Sequence, residues 1–271
     1  MFNGHSNDST SLMTRTFSII SSNIRYDEPH DDVHCWENRK DFLISLLRDY
    51  APDLLATQEG KLPQIRDVDD GLAELTCVDS HRDWADSLMY PCLFYNPTSL
   101  VLKESGDIWL SESPTIPGSS SFGSEFPRLC TWAVFDGEIL AINVHLDNSS
   151  SETRVCQMRV LLQQLGALKA RSQTILLMGD FNESPTCPVR ALIGKEWPDL
   201  SDPWIDLGQP EETSHHHFYE AIDYGSRIDW ILANGSLQAR EMLLDKSRSE
   251  DGIYPSDHYL LKARFCWKDA Q

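Results

Sequence analysis

The stretch TILLMGDFN, residues 174–182, decides the fold of this chain. Its first five residues are almost all apolar, which predicts a short buried strand. The strand runs into Gly179 and Asp180, and Asn182 follows in the same loop. Polar side chains at the end of a buried strand are candidates for chemistry, because a rigid sheet positions them where the scaffold stops and solvent begins.

Segments of the same kind lie on both sides of this stretch. Leu43 and Leu47 keep helical spacing in the segment from Trp36 to Tyr50, and Pro52 ends that helix. Asp136-Gly137 joins two strands as a hairpin. Helices are predicted at residues 36–50 and 151–170, and strands at 16–23, 53–59, 91–96, 100–110, 129–135, 138–146, 174–178, 227–233, 237–244 and 258–266. Residues 27–32 are predicted to form an acidic loop, and the stretch between 182 and 226 is rich in loop signals.

Hairpins therefore mix with strand–helix–strand units, and strands outnumber helices. This pattern predicts an α/β fold with two packed mixed β-sheets flanked by helices in four layers. A chain of 271 residues, 41% of them hydrophobic, is long enough to bury a large core. We expect residues 16–271 to form a single domain, preceded by a polar, disordered lead-in over residues 1–15.

Composition limits the location and the partners of the protein. No run of 18 apolar residues and no signal-peptide core is present, which excludes a transmembrane helix and favours a cytoplasmic protein. The seven scattered cysteines form no C-x-x-C pair and suit reduced thiols. A net charge of −19 without a dense Lys/Arg cluster disfavours a long polyanion and leaves a small substrate as the better prediction.

Polar residues follow several of the predicted strands. Taken singly, each cluster has an ordinary structural explanation: a turn, a helix cap, a core histidine or a solvated loop end. The clusters are Asn23, Gln58-Glu59, His145-x-Asp147, Asp180-Phe181-Asn182, Arg227-Ile228-Asp229 and Ser256-Asp257-His258. Their occurrence together and in this order makes coincidence a poor explanation.

In this order the clusters resemble the motifs of the endonuclease/exonuclease/phosphatase superfamily, whose fold is that of DNase I. The motifs that carry the resemblance stand here as SSNIR (21–25), TQE (57–59), NVHLD (143–147), GDFN (179–182), RIDWI (227–231) and SDH (256–258). A compact bacterial and fungal branch is similar in further motifs, NIRYD (23–27), WENR (36–39) and IWLSESP (108–114), together with Arg154 and Gln157. The chain departs from that branch at residues 78–93, which puts the local substrate contacts in doubt.

The resemblance implies a divalent metal ion, Mg²⁺ or Mn²⁺. Glu59 is the expected main ligand, and Asn23 and Asp257 would complete or adjoin its coordination shell. Carboxylate, amide and water oxygens are the ligands that such hard cations prefer, and a bound cation activates water for attack on a phosphate ester.

The resemblance also implies the catalytic groups. Asp180 would orient and deprotonate the attacking water, and Asn182 would donate to the water or to a phosphoryl oxygen. Asp229 would fix His258, whose imidazolium stabilises negative charge in the transition state. In some relatives this Asp–His pair is the base instead, so both assignments stay open. His145 would hydrogen-bond a phosphoryl oxygen or assist the leaving group.

Arg128, Arg154 and His217 are candidates for substrate binding. The arginines could grip phosphate oxygens, and the alternative for each is a structural ion pair. One of His215, His216 and His217 is expected to line the pocket, whereas a separate zinc site there lacks spaced partners.

The predicted function is hydrolysis of a phosphate mono- or diester, with a small phosphorylated metabolite as substrate. The alternatives are a nuclease acting on DNA or RNA, a catalytically inactive binding module and a lipid-directed enzyme. A nuclease would need a basic strip, a binding module would have lost catalytic positions, and a lipid enzyme would show an exposed apolar hairpin. The sequence shows none of these features.

Overall fold

The computed structural model describes residues 16–219 and 225–268 of the chain. The strands in that part are β1 (Thr16–Asn23), β2 (Leu54–Gly60), β3 (Thr76–Cys77), β4 (Tyr90–Tyr95), β5 (Leu102–Trp109), β6 (Leu129–Phe135), β7 (Ile139–His145), β8 (Thr174–Asp180), β9 (Asp229–Ala233), β10 (Leu237–Asp245) and β11 (Leu260–Trp267). The α-helices are α1 (Trp36–Tyr50), α2 (Leu62–Gly71), α3 (Ser151–Arg171), α4 (Pro188–Glu196) and α5 (Pro203–Asp206), and short 3₁₀ turns lie at Pro29–His34 and Asp136–Glu138.

The strands form two mixed sheets. One has six strands in the order β10-β11-β1-β2-β4-β3, and the other has five in the order β5-β6-β7-β8-β9. Strand β1 runs parallel to β2, and β7 runs parallel to β8, whereas the other neighbours are antiparallel. In each sheet the parallel pair lies inside the sheet, and the crossover between its two strands is a helix.

The four layers follow from the alternation of side chains along each strand. In β1, Phe17 and Ile19 enter the apolar core between the two sheets, whereas Ile20 points to the opposite face and packs beneath α1 and α2. On the other sheet, Leu177 faces a separate core under α3 and α4, and its neighbour Met178 faces the core between the sheets. The predicted sandwich of two mixed sheets with outer helices is confirmed.

Helix α1 has the limits that its pattern predicts. Leu43 and Leu47, one turn apart, are fully buried against the sheet. The helix ends because Ala51 adopts a left-handed conformation, from which its N–H bonds back to the Leu47 carbonyl at 3.2 Å, and Pro52 follows.

The sequence patterns left some local structure unassigned. No element was predicted at residues 62–71, which form α2, and the stretch after Asn182 that was described only as loop-rich contains α4 and α5. The acidic loop is in part a 3₁₀ turn. Helix α4 has only two buried apolar side chains, Val189 and Ile193, spaced one turn apart. Such a short segment gains its stability from packing against α3 rather than from its own periodicity, so its sequence alone is a weak signal.

Two further predictions concern the whole chain. All seven cysteines lie within the described residues and are unbridged. The described helices include none that is long and apolar enough to cross a membrane. The lead-in at residues 1–15 lies outside the described residues, and the division into a lead-in and a single domain stays a prediction.

Candidate active site

Three neighbouring strands of the five-stranded sheet each carry one candidate catalytic residue at the same edge, at the last position of β7 and of β8 and at the first position of the antiparallel β9. His145 on β7 lies directly opposite Asp180 on β8, and Asp180 lies opposite Asp229 on β9. Gly179 makes this close alignment possible: a Cβ atom there would lie 2.0 Å from the Val144 carbonyl oxygen, and its φ of +134° is rare for other residues. The glycine of the GDFN motif is therefore required by the packing of the strands that carry the site.

The six-stranded sheet supplies the opposite wall. Asn23 ends β1 beside Gln58 of β2, and Glu59 follows with a left-handed φ of 67°. A buried amide pair holds the two sheets together next to these strand ends, because Gln58 donates to the Asn143 side chain at 2.8 Å. Since both residues are fully buried, this bond fixes the spacing between the two walls.

At the junction of the sheets, Asn23 lies between two carboxylates. Its amide nitrogen donates to Glu59 at 3.1 Å and to Asp180 at 3.0 Å. Nε2 of His145 lies 3.5 Å from the same oxygen of Asp180. The backbone N–H of Tyr26 donates to the second oxygen of Glu59 at 3.1 Å. Residues 157 positions apart in the chain thus form one hydrogen-bonded cluster.

Asp229 and His258 form the predicted pair. Nδ1 of His258 lies 2.8 Å from Asp229, and its Nε2 points toward Asp180 at 3.8 Å. All three side chains are buried. The second oxygen of Asp229 has no hydrogen-bond partner among the described residues. The pair is therefore oriented toward Asp180, and one oxygen of Asp229 is left able to accept a further hydrogen bond.

Burial and neighbouring charge move the pKa values of the buried groups apart. Burial and the charge of Asp229 raise the pKa of Asp180 to about 7. Burial alone would lower the pKa of His258, but Asp229, Asp180 and Asp257 outweigh it and raise the value to about 10. Burial, with the positive charge of Arg128, lowers the pKa of His145 well below its usual value. Near neutral pH the site thus combines a carboxyl group poised to titrate with a charged and a neutral imidazole.

These groups line a cavity of about 370 Å³ between the sheets. His215 is the member of the histidine triplet that enters it, and its Nε2 lies 3.3 Å from Asp257. The cavity is lined by Arg25, Tyr26, Glu59, Lys61, Ser87, Met89, Phe126, Arg128, His145, Asn148, Asp180, Asn182, His215, Asp257 and His258. Asn23 and Asp229 lie immediately behind it and contact its carboxylate and imidazole walls.

The donor atoms fit a hard divalent cation. Ligand atoms of Glu59, His145 and Asp180 lie within 4.8 Å of one another, and carboxylate oxygens predominate. Asp257 belongs to a neighbouring group with His215 and His258. Asn23 turns its amide nitrogen toward the carboxylates, and its oxygen accepts from the Arg25 N–H at 3.0 Å. A direct ligand role for Asn23 would therefore require its amide to turn over.

The three candidate substrate-binding residues lie in different surroundings. Arg128 lines the cavity, is 6% exposed and contacts His145 at 2.9 Å. Arg154 lies outside it, paired with Glu183 at 2.9 Å. His217 is exposed, and its ring packs on that of His215. The geometry thus supports a role in substrate binding for Arg128, but it does not support one for Arg154 or His217.

Several cavity residues carried no separate signal in the sequence. Tyr26 lies within the NIRYD motif but contributes its backbone to the site as well as its ring. Ser87 and Met89 come from residues 78–93, where the sequence lacks the motifs of the compact bacterial and fungal branch, so no motif marks them. Lys61 and Phe126 stand in loops without any motif in the sequence. They come to line the cavity only because the two sheets pack together. Only the motif NIRYD offered a usable hint.

The family model of the Endonuclease/Exonuclease/phosphatase family matches residues 20–258. The chain therefore belongs to that family, whose members are phosphoester hydrolases. An uncharacterized protein of Acanthamoeba polyphaga mimivirus, L388, is 28% identical over 167 residues, which is 55% of this chain and 60% of the viral protein. The chain thus matches less than two thirds of the length of this curated relative.

Solved structures of other proteins share the fold. A functionally unknown conserved protein from Enterococcus faecalis V583 superimposes with a TM-score of 0.82 at 27% identity, covering 93% of this chain and 100% of that one. The mannosyl-6-phosphatase Bt3783 of Bacteroides thetaiotaomicron gives 0.80 at 24% identity, with coverage of 93% and 100%. D. rerio TDP2, solved with a single strand DNA product, gives 0.70 at 21% identity, with coverage of 92% and 98%. The last two likenesses concern the fold alone.

Proposed function

We propose that this protein is a divalent-metal-dependent hydrolase of a small phosphate mono- or diester. The observation that carries the proposal is that Glu59, Asp180 and His258 line one cavity although they come from distant parts of the chain, and that Asn23 behind the cavity joins the first two. Family membership adds the class of reaction.

Glu59, which Asn23 contacts, would be the main ligand of Mg²⁺ or Mn²⁺, and Asp257 on the wall of the same cavity would adjoin the coordination shell. When bound, such a cation neutralises phosphate charge and lowers the pKa of water. Asp180 would take the proton of the attacking water, and its pKa of about 7 supports that role, because a general base works best when its pKa lies near the operating pH. Asn182 follows two residues after Asp180, and its amide nitrogen donates one N–H to the Leu146 carbonyl at 3.0 Å, so the second N–H would orient the water or a phosphoryl oxygen.

His258 would stabilise the negative charge that develops on the phosphoryl group. Its raised pKa keeps the imidazole protonated at neutral pH, and Asp229 fixes the ring through Nδ1, which leaves Nε2 free to face the substrate. His145 is neutral at that pH and can donate to a phosphoryl or leaving-group oxygen. Arg128 would add a positive charge to the same wall.

Size and charge support a small substrate. The cavity of about 370 Å³ suits a compact ligand, and the net charge of −19 opposes a long polyanion. Arg25 and Lys61 at the cavity could grip one additional phosphate, but Arg25 is already paired with Asp31 at 3.0 Å. A nuclease is the alternative, and a cytoplasmic location stays a prediction.

The decisive experiment is a substrate panel with the purified full chain. It compares p-nitrophenyl phosphate, its bis-ester, sugar phosphates, nucleotides and oligonucleotides at low salt, with Mg²⁺, with Mn²⁺ and after chelation. We expect metal-dependent turnover with a higher kcat/KM for a small phosphoester. Full turnover after chelation would overturn the metal mechanism, and efficient cleavage of oligonucleotides alone would establish the nuclease alternative.

A further inference from the structure

Arg39 is a fully buried arginine on helix α1 that the proposed mechanism does not use. No carboxylate oxygen of the described residues lies within 4.0 Å of its guanidinium group, which is unusual for a buried charge. Burial accordingly lowers its pKa to about 10. A buried guanidinium group without a carboxylate partner needs a hydrogen-bond acceptor for each of its nitrogens, and backbone carbonyls provide these acceptors.

The guanidinium group donates to four carbonyl oxygens from three segments of the chain. Nη1 donates to Ile24 at 2.5 Å and to Pro255 at 3.0 Å, Nη2 to Arg25 at 2.6 Å, and Nε to His34 at 2.8 Å. The Trp36 ring, whose centroid is 4.9 Å from the guanidinium carbon, covers the group on one side. One side chain therefore joins the loop after β1 to the loop before β11.

Both of these loops carry candidate active-site groups. Ile24 and Arg25 directly follow Asn23, and Tyr26 of the same loop donates its N–H to Glu59. Arg25 has a left-handed φ of 54°, a conformation that costs energy in a non-glycine residue and persists only when its surroundings hold it.

Pro255 opens the segment that continues into Ser256, Asp257 and His258. The Ser256 hydroxyl adds a second tie to the other loop by donating to the Asn23 carbonyl at 2.6 Å. The two loops thus meet at Arg39 and at Ser256, immediately behind the metal-binding candidates.

We propose that Arg39 is a positioning residue that sets the spacing between two loops: the one after β1, which follows Asn23 and holds Glu59 of β2 through the Tyr26 N–H, and the one that carries Asp257 and His258. The inference rests on the proposed function, since it assigns Arg39 to the geometry of that metal-binding wall. Lysine at this position would keep the charge but has a single nitrogen, which lacks the planar fork that reaches three segments at once.

The test compares Arg39→Lys with Arg48→Lys. Arg48 is a matched control, because it belongs to the same helix and also donates to a backbone carbonyl, that of Gly71 at 2.9 Å, but it is exposed and lies about 13 Å along the axis from Arg39. Two quantities are measured: Mn²⁺ affinity, from the rise in melting temperature with metal concentration, and kcat at saturating Mn²⁺.

We expect Arg39→Lys to weaken Mn²⁺ binding roughly tenfold and to lower kcat by roughly tenfold to a hundredfold at 25 °C, because small displacements of catalytic groups are costly. The protein should remain folded, and Arg48→Lys should match the wild type in both quantities. The Mn²⁺ titration needs no substrate, so it tests Arg39 even if the proposed hydrolysis fails.

Wild-type Mn²⁺ affinity and turnover in Arg39→Lys would overturn the proposal. The proposal would also be overturned if the losses of Mn²⁺ affinity and of kcat were no larger than the fraction of unfolded protein accounts for. If Arg39→Lys does not fold, Arg39→Gln replaces it, and failure of both variants to fold would show that Arg39 serves the stability of the whole chain instead.

Discussion

Two clusters of buried charge lie between the same two sheets, and they differ in how completely their polar atoms are paired. The first surrounds Arg82, which donates to both oxygens of Asp107 at 2.7 Å, to Thr131 at 2.6 Å and to the sulfur of Cys92 at 3.1 Å. Each of its three nitrogens has an acceptor. Cys92 lies on β4 of one sheet, and Asp107 and Thr131 lie on β5 and β6 of the other.

The second cluster is the candidate active site. Asp180, Asp229 and His258 are buried more deeply than Asp107, but among the described residues one oxygen of Asp229 has no partner, and the same is true of Nε of Arg128. Ligand atoms of Asp180 lie within 4.8 Å of those of Glu59 and also of those of Asp229.

The difference distinguishes two uses of buried charge. A saturated cluster stabilises the contact between the sheets, because each buried charge is compensated. An unsaturated cluster beside a cavity keeps its polar atoms available for a substrate or a cation, at a cost in stability. It follows that mutations in the first cluster should change stability, and mutations in the second should change turnover.

The largest expected effect is on catalysis. Asp180→Asn and His258→Ala should each lower kcat by roughly 10² or more, the scale of proton transfer and charge stabilisation. Asp229→Asn should also inactivate, and combining it with His258→Ala should cost less than the product of the single effects. Steady-state kinetics at saturating metal measures these losses. Multiplicative losses in the double variant would show that the two residues do not act as a unit.

Next in size is the stability effect at the saturated cluster. Arg82→Met should lower the free energy of unfolding by about 3 kcal/mol, because it leaves the carboxylate of Asp107, only 13% exposed, without its main partner. Its kcat should stay close to the wild-type value. Urea denaturation checks the prediction, and Arg82→Met combined with Asp107→Leu should recover part of the loss. If Arg82→Met kept the wild-type stability but had a low kcat, the cluster around Arg82 would serve turnover rather than stability, contrary to the prediction.

A smaller effect concerns pH, with opposite signs in the two clusters. Although burial opposes it, Arg82 and His81 lower the pKa of Asp107 from 3.8 to about 2. The ionised Asp107 therefore adds about 2 kcal/mol to the free energy of unfolding above pH 3.8. This contribution is lost as the pH falls through about 2. The pKa of Asp180 is raised to about 7, so its effect is reversed: stability is lost as the pH rises from 3.8 through about 7.

Urea denaturation across pH in the presence of a chelator measures both effects. Asp180→Asn should abolish the decline in the free energy of unfolding between pH 4 and pH 7. It should leave unchanged the loss of stability below pH 3.8 that comes from Asp107. An unchanged decline in that variant would rule out Asp180 as its source.

The smallest effect separates two adjacent histidines. His215→Ala should lower kcat/KM by about tenfold, the scale of one hydrogen bond to a charged group, because it removes the bond to Asp257. His217→Ala should change kcat/KM by less than about twofold, since its side chain is exposed outside the cavity. Assays of both variants with the same substrate provide the measurement. A larger loss in His217→Ala would restore the substrate-binding role that the sequence suggested for it.

The sequence by itself determined the elements with strong periodicity and the order of the motifs. The predicted limits of α1 and β6 agree with the structure to the residue, and the two-sheet architecture is confirmed. These features rest on local information: apolar spacing, Pro52 after a helix, and polar residues at strand ends. Helix α4 was missed because two apolar side chains carry too little of that information.

Only the tertiary structure decided which polar residues face the cavity. From the sequence, Arg128 and Arg154 are equally plausible phosphate ligands. In the structure Arg154 forms an ion pair with Glu183, whereas Arg128 lines the cavity. Likewise, His215 rather than His217 enters the site, and Arg39 of the WENR motif binds four carbonyls from three segments. The physical reason is that a side chain's partners depend on groups that are distant along the chain, and those groups come together only when the two sheets pack.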